Sequence, residues 1–151
     1  MPQTEMTCHS PATEQAPDDA SRIALIGSPN GGKTSIFNQL TGLHAKTGNY
    51  PGVTVSRSEG VARIHDHTFA IEDLPGTYSL SPISPDEQVV VDVLDGRMDQ
   101  VSAPDALVVV ADATALRRSL LLLAEVLPRH LPTAVVVTMT DELRRRQGSL
   151  D

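Results

Sequence analysis

The chain has 151 residues, of which 40% are hydrophobic and 21% are charged, and these values fit one globular domain with a sizeable core. Its formal net charge of −7 argues against a nucleic-acid partner, because nucleic acids bind positively charged surfaces. The single cysteine, Cys8, excludes an intrachain disulfide and fits a reducing compartment such as the cytoplasm, and no apolar stretch approaches the roughly 18 residues of a membrane span. Residues 1–20 mix prolines with polar residues, lack the apolar centre of a secretion signal and are predicted to be a disordered tail.

The first predicted elements after the tail are a buried strand over Arg22–Ile26 and a helix over Ser35–Thr41, joined by a glycine-rich loop. Loop residues Gly27–Thr34 match the phosphate-binding pattern G-x-x-x-x-G-K-[ST]. Glycines let backbone N–H groups turn toward phosphate oxygens, and the helix N-terminus adds partial positive charge. In this pattern Lys33 reaches the β- and γ-phosphates and Thr34 supplies a hydroxyl to Mg²⁺, so nucleotide binding is predicted.

A long loop without periodicity is predicted over Gly42–Ser56, and such loops in compact domains are usually functional or mobile. Thr54 within it is a candidate to close over a nucleotide, giving its hydroxyl to Mg²⁺ and its N–H to the γ-phosphate. A hairpin with strands near Ser58–Ile64 and Thr68–Glu72 is predicted next. The following turn, Asp73–Gly76, matches D-x-x-G, in which the Asp holds Mg²⁺ through water and the glycine N–H meets the γ-phosphate. A plain strand-ending turn explains that short pattern equally well.

The remaining predicted elements alternate between helices and buried strands. This alternation predicts an α/β fold with a mostly parallel central sheet and helices on both faces. Ligands of such sheets bind beyond the carboxyl ends of the strands, so the motifs that follow strands are expected to converge on one edge. The elements are a helix near Asp86–Leu94, a strand at Ala106–Ala111, a helix at Leu116–Leu127, a buried strand at Thr133–Val137 and a helix at Asp141–Arg146.

A candidate base-recognition motif, Thr138–Asp141, follows the last predicted strand, where guanine-specific proteins carry [NT]-K-x-D. Asp141 would accept hydrogen bonds from the ring N–H and the amino group of guanine, which adenine does not offer in that arrangement. The alternative is that Asp141 is only the N-cap of the last helix, a position that Asp favours.

Several blocks closely resemble the bacterial ferrous iron transport protein B (FeoB) family. Gly48–Val55 and Asp73–Leu80 carry the most specific likeness, with further similarity at Ser84–Glu87 and Val110–Thr114. The resemblance implies a P-loop NTPase fold of the Ras-like G-domain type over residues 21–151, with GTP and GDP as ligands and Mg²⁺ as cofactor. In that family a cytosolic G domain, at the inner face of the bacterial inner membrane, precedes a helical regulatory domain and a membrane domain that moves Fe²⁺.

The sequence departs from the family pattern in three places: at Ser28, in the base-recognition motif and at the end of the chain. Ser28 and Thr138 each stand where the family usually has Asn, and Met139 replaces the general GTPase Lys, as is common in this family. Because a Thr hydroxyl still partly ties the base loop to the phosphate loop, weakened rather than lost guanine binding is expected. The chain also stops at Asp151, before the fifth guanine-contacting loop, the final strand and helix, and the regulatory and membrane domains. Alone it is not expected to transport iron.

Slow GTP hydrolysis is expected, because Thr77 occupies the position where Ras-like enzymes carry a water-orienting Gln and no arginine finger is evident. Arg57 and Arg63 are interpreted as surface residues. The resemblance implies that Asn30 helps to bind K⁺ beside the phosphates, where the cation substitutes for an arginine; the alternative is that Asn30 only shapes the loop.

The candidate site residues fall into three groups. The candidate catalytic residues are Lys33, Asn30, Thr54 and Gly76. The candidate metal ligands are Thr34, Thr54 and, through water, Asp73 for Mg²⁺, and Asn30 for K⁺. The candidate nucleotide-binding residues are Asn30, Gly31, Gly32, Lys33, Thr34, Ser35, Pro51, Gly52, Val53, Thr54, Asp73, Leu74, Pro75, Gly76, Thr138, Met139 and Asp141.

Two other functional classes remain open at this stage. One is a P-loop enzyme that uses an adenine nucleotide; competition between GTP and ATP would distinguish it from a GTPase. The other is a degenerate or truncated interaction module without GTPase activity; a direct measurement of GDP binding would distinguish it from a GTPase.

Overall fold

Strands and helices alternate along residues 15–149, the part of the chain that this computed structural model describes. Residues 1–14 of the predicted tail, with Cys8, lie outside the described residues; Pro17–Ala20 form a turn in which the Ala20 N–H donates to the Pro17 carbonyl at 3.0 Å. The strands are β1 (Ser21–Gly27), β2 (Ala45–Asn49), β3 (Ser56–Ile64), β4 (His67–Asp73), β5 (Ala106–Asp112) and β6 (Thr133–Thr138). The helices are α1 (Lys33–Thr41), α2 (Pro85–Leu94), α3 (Leu116–Val126) and α4 (Thr140–Arg145), with 3₁₀ turns at Ala113–Ala115 and Leu127–Arg129.

The strands form one sheet in the order β2-β3-β4-β1-β5-β6. Strand β1 lies in the middle, parallel to β4 and β5, and β6 is parallel to β5. On the other side β3 runs antiparallel to β4, and β2 antiparallel to β3. The prediction of a mostly parallel sheet is confirmed. Its central strands read as continuous apolar runs because both of their faces are covered.

Helices cover both faces of the sheet, which also confirms the prediction. Because successive strand residues point to opposite faces, Leu25 and Ile26 of β1 join two different cores. On one face α1 inserts Phe37 beside Leu25. On the other face α2 and α3 bury Val90 and Leu122 in a cluster that includes Ile26. None of the helices within residues 15–149 has the length and apolar character needed to cross a membrane.

Local sequence signals explain where the helices and the hairpin begin and end. Helix α1 ends where Gly42 adopts φ +61°, and the Gly42 N–H donates to the Asn38 carbonyl. Helix α2 begins with a proline after Ser84, whose hydroxyl accepts a hydrogen bond from the Glu87 N–H at 3.3 Å. The predicted hairpin is confirmed, with β3 and β4 joined by the two residues 65–66.

Two predictions at the edges of the sheet were wrong. The predicted loop Gly42–Ser56 contains β2, which is mostly exposed at the sheet edge and therefore has no apolar alternation to reveal it. The strand predicted as buried over Thr133–Val137 is the opposite edge strand, β6, and Val135 and Val137 are 45% and 44% exposed. An apolar run usually indicates a strand covered on both faces, whereas β6 has a neighbouring strand on one side only.

Candidate functional site

The glycine-rich loop lies between the carboxyl end of β1 and the first turn of α1. Gly32, directly before α1, has φ +84°, a conformation that residues with side chains disfavour. Asn30 also adopts a positive φ of 60°. The Gly31 N–H donates to the Ser28 carbonyl at 3.2 Å and closes the turn. A loop that bends in this way before a helix N-terminus is suited to binding phosphate.

A cavity of about 400 Å³ lies against this loop, within the size range of small-ligand sites. Its walls come from three separate segments of sequence: the phosphate loop, the D-x-x-G turn and the base-recognition motif. The lining residues are Ser28, Pro29, Asn30, Gly32, Lys33, Thr34, Ser35, Gly76 and Met139.

Lys33 and Thr34 both donate to Asp73, the last residue of β4. Lys33 Nζ forms an ion pair with Asp73 Oδ1, and Thr34 Oγ1 donates to Asp73 Oδ2 at 3.2 Å. The Lys33 and Asp73 side chains are only 9% and 10% exposed, so each charge compensates the burial of the other. Because β1 and β4 are parallel neighbours, their carboxyl ends bring the two motifs together.

This set of donors suits Mg²⁺, which prefers hydroxyl, carboxylate and phosphate oxygens. The hydroxyl of Thr34, a residue of the cavity lining, lies 3.2 Å from the Asp73 carboxylate, which is not itself part of the lining. Within residues 15–149 no cluster of three or more His, Cys, Asp or Glu side chains could hold a metal. A Mg²⁺ ion here would therefore combine Thr34 and Asp73 with the phosphate oxygens of a ligand. Asn30 also lines this cavity, and its amide oxygen is a suitable ligand for a monovalent cation.

The D-x-x-G turn packs directly on the phosphate loop. A Cβ atom at Gly76 would lie 2.9 Å from the backbone of Pro29, so only glycine fits there. The Thr77 N–H donates to the Gly27 carbonyl at 2.9 Å. The Thr77 side chain is fully buried, and its hydroxyl donates to the Ser79 carbonyl at 2.6 Å. The position that carries a water-orienting Gln in Ras-like proteins therefore offers no side-chain group to the cavity.

The base-recognition motif contacts the phosphate loop through Thr138. Its hydroxyl oxygen lies 2.6 Å from the Gly31 carbonyl and 3.3 Å from the Ala111 carbonyl. Met139, with φ +58°, follows and reaches the cavity. The hydroxyl of Thr138 thus fastens the base loop to the phosphate loop across more than a hundred residues of sequence.

Asp141 lies outside the cavity lining, and its side chain is 75% exposed. It is the second residue of α4 rather than the N-cap, which is Met139. Arg145 donates to its carboxylate at 2.8 Å, and this hydrogen bond lowers the pKa of Asp141 below its usual value. The lowered pKa favours the ionised carboxylate, whose oxygens act only as hydrogen-bond acceptors.

The loop that carries Thr54 is also separate from the phosphate cavity. Gly52, Val53 and Thr54 border a second, open cavity of about 680 Å³, together with the first residues of α2, whereas the half-buried Pro51 lines neither cavity. The structure thus brings Lys33 and Asp73 together but leaves Thr54 apart from them. Leu74 is buried in the core beneath the site, and Pro75 is half-buried.

Sequence reasoning missed a buried charge cluster next to the site. Arg57, interpreted as a surface residue, pairs with Glu59 at 3.0 Å and with Glu72 at 3.1 Å, and its side chain is 21% exposed. Glu72 is 4% exposed and directly precedes Asp73. The available signal was Glu72, an acidic residue that directly follows the apolar residues Phe69–Ile71 within a predicted strand, because a buried acid needs partners.

Comparisons with known proteins identify the family to which this sequence and fold are similar. The family model described as "Ferrous iron transport protein B" matches residues 21–151. The Fe(2+) transporter FeoB of Leptospira biflexa serovar Patoc is 43% identical over 129 residues, which cover 85% of this chain and 18% of that protein. The G domain of the T. maritima FeoB iron transporter superposes with a TM-score of 0.75 at 41% identity, covering 83% of this chain and 76% of that one. The cytosolic domain of the same transporter in its GMPPNP form gives a TM-score of 0.75 at 39% identity, covering 84% and 48%.

Proposed function

The chain belongs to the ferrous iron transport protein B family and is a G domain of that family; we propose that it binds GTP and GDP with Mg²⁺ and hydrolyses GTP slowly. The observation that carries this proposal is the contact of Asp73 with Lys33 and Thr34, which both line the cavity at the phosphate loop. GMPPNP, the ligand named for the T. maritima cytosolic domain, is a non-hydrolysable relative of GTP and supports the choice of nucleotide.

Binding of the phosphates rests on the loop and on Lys33. The N–H groups of the loop and the first turn of α1 surround the β-phosphate, and Lys33 exchanges its ion pair with Asp73 for the β- and γ-phosphate oxygens. Thr34 and, through water, Asp73 would hold Mg²⁺, which would neutralise phosphate charge. Gly76 packs on Pro29 of the loop, and its N–H would donate to the γ-phosphate.

Slow hydrolysis follows from the buried hydroxyl of Thr77. With no side chain at that position to orient water, positioning depends on backbone groups and on Thr54 after its loop closes. The Asn30 amide lines the cavity and would hold K⁺ beside the phosphates, adding positive charge where negative charge develops. Hydrolysis should therefore be faster in K⁺ than in Na⁺.

Preference for guanine rests on Thr138 and Asp141. The contact of Thr138 with Gly31 fixes the base loop relative to the phosphates. Asp141 reaches guanine after leaving Arg145, an exposed partner that costs little to break in water. The aliphatic side chain of Met139, at the cavity edge, provides an apolar contact for the base or ribose.

The wider role concerns a protein longer than this chain, which spans 18% of the length of the Leptospira biflexa relative. In such a transporter, this domain would switch with its nucleotide at the cytosolic face of the inner membrane and regulate Fe²⁺ uptake. Its partners would be the helical regulatory domain and the membrane domain that moves Fe²⁺.

A competition experiment tests the proposal. Fluorescent GDP bound to the parent protein with Mg²⁺ is displaced by unlabelled GTP or ATP, and turnover is followed by phosphate release. We expect GTP to displace at concentrations at least about tenfold below those of ATP, with slow turnover. A second candidate, a nucleotide-binding module without hydrolysis, is favoured by the buried Thr77 alone; binding with no phosphate release would support it, and better displacement by ATP would contradict guanine specificity.

A further inference from the structure

The loop that carries Thr54 is held at both ends by buried residues. Tyr50 and Val55 are 1% and 6% exposed and belong to the core cluster that also contains Val89 of α2. The Tyr50 N–H donates to the Val55 carbonyl at 2.9 Å, which closes the base of the loop. Only Pro51–Thr54 project from this base, so Tyr50 and Val55 are fixed anchors and the four residues between them form a short flap.

Tyr50 is attached to the strand that carries Asp73. Its hydroxyl donates to Glu72 Oε1 at 2.8 Å, and Glu72 is the residue directly before Asp73. Burial, followed by the nearby Glu72 carboxylate, raises the pKa of the Tyr50 hydroxyl above its usual value, so the hydroxyl remains a donor at any physiological pH. One hydrogen bond therefore joins the anchor of the Thr54 flap to the strand end of the phosphate site.

Two arginines hold Glu72 in place for this contact. Arg22 Nη2 donates to Glu72 Oε2 at 3.2 Å, and Arg57 Nε donates to Glu72 Oε1 at 3.1 Å. The Arg57 guanidinium also lies 5.8 Å from the centre of the Tyr50 ring, within range of a cation–π interaction. Glu59 pairs with both arginines, at 3.5 Å and 3.0 Å. The acceptor of the Tyr50 hydroxyl is thus oriented from both sides.

The flap must move for Thr54 to reach the phosphate cavity. Because its two anchors are fixed, the backbone loses less conformational freedom when the flap closes. Ordering each released residue would cost backbone conformational entropy. A flap of four residues with fixed ends closes with a smaller loss than a segment whose ends are also released. The energetic benefit arises only in the state in which Thr54 contacts the ligand, which is the triphosphate state.

We propose that Tyr50, through its hydrogen bond to Glu72, is a positioning residue that makes the site prefer GTP over GDP. The inference rests on the proposed nucleotide-binding function and extends it to Tyr50, a residue that does not line the phosphate cavity. Tyr50 does not contact the nucleotide; it acts through Thr54.

The test uses stopped-flow release of fluorescent GDP and of a fluorescent non-hydrolysable GTP analogue from the parent and from Tyr50→Phe. The variant keeps the ring and its packing and removes only the hydroxyl. We expect release of the GTP analogue to become about tenfold faster, since hydrogen bonds to charged acceptors are among the stronger ones, while GDP release changes less than about twofold. A purely structural role would speed both releases equally, so equal acceleration would overturn the proposal.

The matched control is Tyr78→Phe, the same chemical change at the other tyrosine, whose ring lies beside Arg118 at 5.6 Å and which is 47% exposed. We expect it to leave both release rates unchanged. Glu72→Gln, which weakens the same contact by removing the acceptor's charge, should shift the two rates in the same unequal way as Tyr50→Phe. Unchanged or slower release of the GTP analogue in Tyr50→Phe would contradict the proposal. A parent that binds neither nucleotide would overturn the proposed function on which it rests.

Discussion

The ion pair between Lys33 and Asp73 makes a specific prediction about Mg²⁺ and nucleotide affinity. In the proposed site a phosphate would compete with Asp73 for the Lys33 ammonium group, so we expect Asp73 to oppose phosphate binding when Mg²⁺ is absent and to support it when Mg²⁺ is present. With both side chains about nine-tenths buried, the pair should stabilise the nucleotide-free protein by about 1.5–3 kcal/mol, the range for hydrogen bonds to charged groups. This corresponds to roughly a tenfold to hundredfold effect on affinity.

The assay is a titration of fluorescent GDP into the parent and into Asp73→Ala, once in EDTA and once in excess Mg²⁺. In EDTA we expect the variant to bind GDP at least about tenfold more tightly, because its Lys33 has no competing carboxylate. In Mg²⁺ the order should reverse, because the variant lacks a metal ligand. Asp66→Ala, in the exposed hairpin turn, makes the same change in net charge and should match the parent in both conditions. Equal affinities of parent and Asp73→Ala in EDTA would refute the competition between Asp73 and phosphate.

Three further predictions concern the base loop and the cation. Asp141→Asn should weaken GDP binding and admit xanthine nucleotides, since an amide donates where the carboxylate accepted; a variant that still prefers GTP over XTP as strongly as the parent would contradict this role. Thr138→Ala should weaken GDP binding about fivefold by removing a hydrogen bond worth about 1 kcal/mol to the Gly31 carbonyl, whereas Thr138→Ser should not, and isothermal titration would separate the two. Asn30→Ala should lose the excess of turnover in KCl over NaCl, measured at equal ionic strength and saturating GTP; a full K⁺ effect in the variant would remove Asn30 from the mechanism.

The parts of the fold that could be predicted were those in which local sequence and burial agree. The central strands β1 and β5 are continuous apolar runs, and Gly42 and Ser84 mark helix ends through ordinary capping. Strand β2 could not be predicted, because its residues at the sheet edge face solvent and its pairing depends on β3. The position of strand β6 was predicted correctly but its burial was not, because an apolar sequence does not show how many neighbouring strands a strand has.

The candidate site also has parts that the sequence could predict and parts that it could not. The proximity of Lys33 to Asp73 follows from parallel neighbouring strands, which the alternation of elements already implies. The placement of Thr54 and Asp141 outside the cavity depends on loop conformation and on local partners such as Arg145, which motifs do not encode. The partners of Glu72 come from two other strands, β1 and β3, and from Tyr50 at the base of the flap, so only the packed structure brings them together.

The central claim, that this chain binds a guanine nucleotide on the loop Gly27–Thr34, is tested most directly by titrating fluorescent GDP into the parent and into Lys33→Ala, with thermal unfolding used to check that both are folded. We expect saturable binding by the parent in Mg²⁺ and an affinity at least about a hundredfold weaker in Lys33→Ala, because the variant loses the buried cation that contacts the phosphates. Equal affinity of the two folded proteins, or no binding by the parent, would contradict the assignment.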